Sequence, residues 1–415
     1  MDLTQAVSAA NLPHIRNRIR LIDHTVDLLQ TVQVHDRDSR WYGGFLDPLR
    51  LVAEPWYAAG AVDVMVAALV EPDSRYYRSE KIAESVALAM DYVLRNQYPN
   101  GTIDAYFVGD MQAAPNAAFV ARMLCRAYRK LKGSASLPVD PSVLDSIARF
   151  LVRAGEGIRK RQAYTSNHRW VIAEALLQID ALFPDPALRE RAEAYLSEGI
   201  DINSDGMYSE RSTSYGMLTN DTLISIAELT GRREYLELVR RNLEFVLYLV
   251  QPNGEDTYQF STRQDAVIPG TRITGEDIFR YMAAYTGDGR FATMTDYIAA
   301  QGLTDDSVAD LIARERDSWQ TVVPDRELVF PSLKHSILSR ITARGQLLSE
   351  RAYVDISHIE RSPLPAEYHR YFETSRLVRI RRAGVAASLM GMQPNFFSLH
   401  AGEAVIEGIR IRYLY

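Results

Sequence analysis

DGMYSERSTSYGMLTNDTLISIAELTGRREYLELVRRNLEFVLYLVQPNG, residues 205–254, carries the pattern that decides the fold. It begins and ends on turn pairs, Asp205-Gly206 and Asn253-Gly254, 48 positions apart. Between them the run Leu223–Thr230 stops at Gly231. Leu236, Val239, Leu243, Val246 and Val250 then recur at three- and four-residue spacing, which places them on one helix face. Two helices joined at a glycine and closed by turns make one helical hairpin of about fifty residues.

The same grammar extends outward. Ile82, Val86, Met90, Val93 and Leu94 form one stripe. Val120, Met123, Leu124, Ala127 and Leu131 form another, stopped by Gly133. Ile172, Ala175, Leu176 and Ile179 form a third, broken by Pro184 and Pro186. Gly43-Gly44 and Asn100-Gly101 are further turn pairs, the second 105 positions before Asp205 and so about two hairpins away. Irregular aromatic loops at Trp41-Tyr42, Tyr106-Phe107, Tyr208 and Tyr258 favour a ring with a lined cavity over an open solenoid. After Pro324 the period changes to two: Val378 and Ile380 alternate with Arg379 and Arg381, and Ile409, Ile411 and Tyr413 with Arg410 and Arg412. The expected fold is mainly α: an (α/α) toroid of helical hairpins over 1–324, then a short antiparallel β region, a partial sandwich, over 325–415.

The chain has 415 residues, 47% hydrophobic and 24% charged, enough for a sizeable core and unlike a disordered chain. A net charge of −6 argues against bulk nucleic-acid binding and leaves room for a local basic cleft. No run of eighteen apolar residues marks a membrane span. The N-terminus lacks a basic segment followed by an apolar one, so the chain reads as cytoplasmic as written, or as periplasmic or secreted if a leader preceded this numbering. The single cysteine, Cys125 in VARMLCRAYRKL, reads as a buried structural thiol and rules out an intrachain disulfide or a multi-cysteine zinc site. No GxxxxGK[ST], HExxH or GxSxG motif occurs, and neither metal nor cofactor is expected.

Three loops, each one hairpin apart, carry candidate chemistry. Tyr164–Trp170 opens a helix and sets Asn167, His168, Arg169 and Trp170 side by side. An N-cap is the bland reading, but backbone N–H groups there also suit a bound carboxylate. Asp205–Gly216 follows 47 positions after His168 at Tyr215, and also brings Tyr208 and Arg211. Gln259–Asp265 adds Arg263 and Gln264, suited to a carboxylate and hydroxyls. Loops one hairpin apart in a ring open on one face, so His168, Tyr215 and Arg263 are expected to line one cavity. Gln112, Asn116 and Trp41 are further candidates for substrate contact.

Asn167-His168 before a helix, followed by Asp205-Gly206-x-Tyr208-x-Glu210-Arg211-Ser212-x-x-Tyr215, resembles the heparinase II/III-like and alginate-lyase-like polysaccharide lyases. The resemblance implies a helical toroid with β-sandwich sheets, an anionic poly- or oligosaccharide partner and β-elimination at a uronic acid. By that likeness Asn167 and His168 neutralise the substrate carboxylate, or His168 is the base. Tyr215 is then the acid, or acid and base together. Relatives supply a further His or Tyr from the β region; His335, His358, His369 and His400 compete for that role, with His400 preferred. Two other readings stay open. An unsaturated glucuronyl hydrolase would use a carboxylic acid such as Asp104, Asp110 or Asp265, and a non-catalytic glycan-binding protein would bind without cleaving.

Overall fold

The computed structural model describes residues 13–48, 50–105, 110–134, 136–267, 271–322, 337–391, 393, 395–402 and 404–410. Along the chain come α1 (Pro13–Val32), α2 (Pro55–Val70), α3 (Glu80–Arg95), α4 (Ala114–Gly133), α5 (Pro141–Arg159), α6 (Ser166–Leu182) and α7 (Pro186–Leu196). Then follow α8 (Thr213–Thr230), α9 (Glu234–Val246), α10 (Glu276–Thr286), α11 (Gly289–Gly302), α12 (Asp305–Val322) and α13 (Ile337–Thr342). A hairpin of β1 (Ile103–Ala105) and β2 (Asp110–Ala113) is the one sheet before residue 300 among the described residues. None of the described helices is long and apolar enough to cross a membrane.

The chain forms two compact units: Met1–Tyr164 with Val171–Tyr195 and Gln301–Tyr353, and Thr165–Trp170 with Leu196–Ala300 and Val354–Tyr415. In the first, α2 reads PWYAAGAVDVMVAALV and is buried almost all round, as a helix apolar on every face must be. It packs against α1, α3 and α4. Its Asp63 is held by Arg126 at 2.6 Å, so the buried charge is paired. Cys125 is buried, and burial pushes its thiol up to about 12, which fits the structural reading.

The expected division at 324/325 differs from this grouping. Pro324, Leu333 and His335 lie outside the described residues, but Ile337–Thr342 is helical and two short 3-10 segments carry the chain to Tyr353. Leu338, Ile341 and Leu348 are buried at helical spacing within the first unit. Among the described residues after 300, the first strand begins at Tyr368.

In the second unit α8 and α9 form the hairpin that the 205–254 stretch dictates, with Gly231 in the left-handed conformation at the end of α8. The sheet is an antiparallel meander in chain order: β3 (Tyr368–Phe372), β4 (Leu377–Arg382), β5 (Val385–Met390), β6 (Asn395–Ala401) and β7 (Ala404–Arg410). Phe372 meets Phe245 of α9 edge to face, with centroids 4.8 Å apart. In β4 the alternation is present, but the inward face is inverted. Arg379 is fully buried, while Val378 and Ile380 are only half-buried. Its guanidinium donates to the Tyr248 carbonyl at 2.9 Å, to Gln251 and to Ser388, so the buried cation is solvated by protein dipoles. Ile411, Arg412 and Tyr413 lie outside the described residues.

Asp205-Gly206 is a structural clamp. The Asp205 carboxylate accepts from the Thr374 hydroxyl at 2.8 Å and the Ser375 N–H at 2.7 Å, both on the β3–β4 turn. Gly206 sits at φ +95°, and a Cβ there would lie 2.3 Å from the Arg241 carbonyl oxygen. Gly199 has a similar φ of +80° with open space around it. Gly206→Ala is therefore expected to cost more than the roughly 1–3 kcal/mol of backbone strain alone, and Gly199→Ala only that strain. Equal drops in melting temperature for the two variants would refute the packing argument.

Candidate functional site

The site is built where the starts of α6 and α8 meet the loop before α10. Segment 165–170 is stitched to the following loop by Ser166 against Ser209 (2.8 Å), Arg169 to Glu198 (2.6 Å) and the Trp170 indole N–H to Asp201 (2.8 Å). This leaves Asn167 buried and His168 half-buried on the first turn of α6. Ser212 caps α8 by accepting from the Tyr215 N–H at 3.1 Å, which fixes the start of that helix. The Ser212 hydroxyl in turn donates to Asp265, which also accepts from Ser261.

Asn167 donates its amide to both oxygens of Glu210, at 2.7 and 2.8 Å. Arg263 Nε lies 3.4 Å from the same carboxylate, and its guanidinium stacks over the Tyr215 ring 4.8 Å from the centroid. Gln264 donates to the Tyr215 hydroxyl. The structure thus joins Asn167, Tyr215, Arg263 and Gln264 into one run of contacts, with Glu210 at its centre. Glu210 stands within the Asp205–Tyr215 motif, where its residue type alone assigns it no role. Burial raises its carboxyl above the ordinary range, against the opposing pull of Asn167 and Arg263. Arg211 stands in the left-handed conformation at φ +53° and donates Nε to the Phe260 carbonyl at 3.2 Å. Its Nη2 has no hydrogen-bond partner among the described residues, and burial lowers its guanidinium pKa.

Three expectations need correction. The Asn167 amide, assigned to a substrate carboxylate, is spent on Glu210, leaving its Oδ1 buried without a partner. Tyr208 packs in the core, with its hydroxyl donating to Asn220 at 2.8 Å, so it offers substrate nothing. His400 is 1% exposed in β6, with Nε2 2.8 Å from Glu407. Trp41, Gln112 and Asn116 belong to the first unit. There Trp41 carries the Arg40 guanidinium on its ring, Gln112 accepts from Asn100 and Asn116 is buried. Tyr106 and Phe107 lie outside the described residues.

Glu255, His400 and Glu407 place ligand atoms within 4.8 Å of one another and are the described group able to hold a metal ion. Glu407 already accepts from Tyr258, Gln259 and His400, which satisfies that carboxylate without an ion. A second carboxyl, Asp256, is fully buried beside Thr213, and burial lifts it to about 7.

No known family model and no curated protein matches this chain. Among solved structures it is similar to the xanthan lyase of Paenibacillus, at 13% identity and TM-score 0.51 over 92% of this chain and 35% of that one. It is also similar to the chondroitin AC lyase of Streptomyces coelicolor A3, solved in complex with chondroitin sulphate, at 15% identity and TM-score 0.54 over 93% and 51%. The fold class is that of the (α/α) toroid enzymes. At these identities the likeness is one of fold. The chain spans about a third of the first enzyme and half of the second.

Proposed function

We propose that this chain cleaves a uronic-acid-containing polysaccharide by β-elimination. The observation that carries the reading is the run Asn167–Glu210–Arg263–Tyr215–Gln264, which gathers the starts of α6 and α8 and the loop before α10 around one half-buried phenol. The C5 proton of a uronate is weakly acidic until its carboxylate is neutralised, and the charge that develops then needs fixed donors. Arg263 and Arg211 supply cations and His168 a further donor, or the base itself. Tyr215 supplies the proton transfer: it gives a proton to the departing O4, alone or after taking the C5 proton from the same side of the ring. The C4–O4 bond breaks and a C4–C5 double bond forms. Asn167 braces the site through Glu210. His400, buried on Glu407, takes no direct part.

The two neighbours named as lyases of xanthan and chondroitin agree with this reading. The carboxyls weighed for a hydrolase do not favour that alternative. Asp265 accepts two serine hydroxyls, and Asp104 accepts the Tyr98 hydroxyl and the Gln112 N–H within the first unit. The Asp110 side chain lies outside the described residues. An anionic oligosaccharide is the expected partner. The test is a panel of uronate polymers followed by the ultraviolet absorbance of the new double bond. A rise with at least one polymer is expected. Cleavage to reducing ends without that chromophore would establish hydrolysis instead, and binding without cleavage would establish a lectin-like role.

A further inference from the structure

We infer that Glu210 is a positioning residue of this site, its charge holding the Arg263 guanidinium against the Tyr215 ring while it locks the Asn167 amide. The inference rests on the lyase reading and adds a residue to it. Glu210 is 8% exposed, and a carboxylate removed from water that far needs strong compensation. Both of its oxygens receive the Asn167 amide and one faces Arg263, so two side chains from two other loops depend on one acid. Its backbone carbonyl joins the same loops by accepting from the Thr262 N–H at 3.2 Å and the Thr262 hydroxyl at 2.8 Å.

The two layers of this arrangement separate chemically. The Thr262 contacts bind the loops whatever side chain stands at 210. The contact with Arg263 instead needs a negative charge. Without it the guanidinium keeps only the attraction of the ring face, and the cation beside the reacting phenol is less firmly preorganised. The charged groups facing Glu210 are Arg263, which favours its ionised form, and Asp201, which opposes it. Burial raises the Glu210 carboxyl, so its protonation shuts the arrangement down at a higher pH than an exposed glutamate would.

Glu210→Gln keeps size, shape and one acceptor for Asn167 while removing the charge. Activity is measured as chromophore formation across pH on the best polymer of the panel, with melting temperature in parallel. The expected result is turnover lowered about 10- to 100-fold, melting within a few degrees of wild type, and loss of the acid limb that wild type shows. Wild-type turnover in Glu210→Gln overturns the inference, and so does lowered turnover with the acid limb unchanged, because structural glue alone would give that pattern. If Glu210→Gln fails to fold, Glu210→Asp decides. It keeps the charge with a shorter reach, so lowered turnover with the acid limb retained supports the role and wild-type turnover removes it. A wild-type enzyme that makes no chromophore on any polymer brings down the lyase reading and this role with it. An active wild type beside an indifferent variant brings down the role alone.

Discussion

Tyr215→Phe lowers chromophore formation about 10²–10⁴-fold, the usual contribution of a positioned acid or base, while oligosaccharide affinity stays close to that of wild type. The phenyl ring keeps the face on which Arg263 stacks, so the binding surface survives. What goes is the hydroxyl, whose one described partner, Gln264, holds it toward solvent. A group needed for proton transfer acts chiefly in the transition state, so its loss appears in kcat rather than in binding. Calorimetric titration with a uronate oligosaccharide, beside steady-state rates, separates the two. Wild-type turnover in Tyr215→Phe would remove Tyr215 from the mechanism. Asn167→Ala behaves differently: it strips Glu210 of its amide donor, so melting temperature and turnover fall together.

Asp256 sets a pH dependence of stability. Its carboxyl titrates near 7 in the folded chain, against 3.8 as a free side chain, because burial penalises the anion. Below about pH 4 the proton is on in both states and the group costs nothing. As pH rises toward 7 the unfolded chain ionises first, so the folded state loses stability, and above 7 the loss is complete. At about 1.4 kcal/mol for each pH unit between the two values, the loss comes to about 4–5 kcal/mol. Asp256→Asn carries no such slope. The expected result is that the variant's melting temperature gains on wild type between pH 4 and pH 7 and holds that gain at pH 8. A constant difference across this range would show that Asp256 titrates like an exposed acid.

The hairpin architecture was legible because turn pairs and three-four stripes are local: Gly231, Gly254 and the Leu236–Val250 stripe mean the same in any context. The spacing of one hairpin also predicted that the loops of Asn167, Tyr215 and Arg263 would meet. The partner that joins them was not legible, since Glu210 gains its meaning from residues 43 positions before it and 53 after. Alternation located β4 but not its inward face. Arg379 is buried because carbonyls of Tyr248 and Val250 surround it, and no count of hydrophobic residues anticipates that. Tyr208 misled for a related reason: an aromatic in a polar loop reads as a sugar platform until Asn220, on the next helix, takes its hydroxyl. The helical turns after residue 337 were hidden by the nearby change to period two.

The Asp205 clamp has a consequence in time. Its partners Thr374 and Ser375 stand about 170 positions later in the chain. At ordinary synthesis rates of about 5–20 residues per second, a ribosome needs roughly ten to thirty seconds to deliver them. Throughout that interval the nascent 205–206 turn is made while its anchor does not yet exist. The loop bearing Glu210 and Tyr215 leaves the ribosome before the strands that secure its base, and its anchoring to them waits for their synthesis.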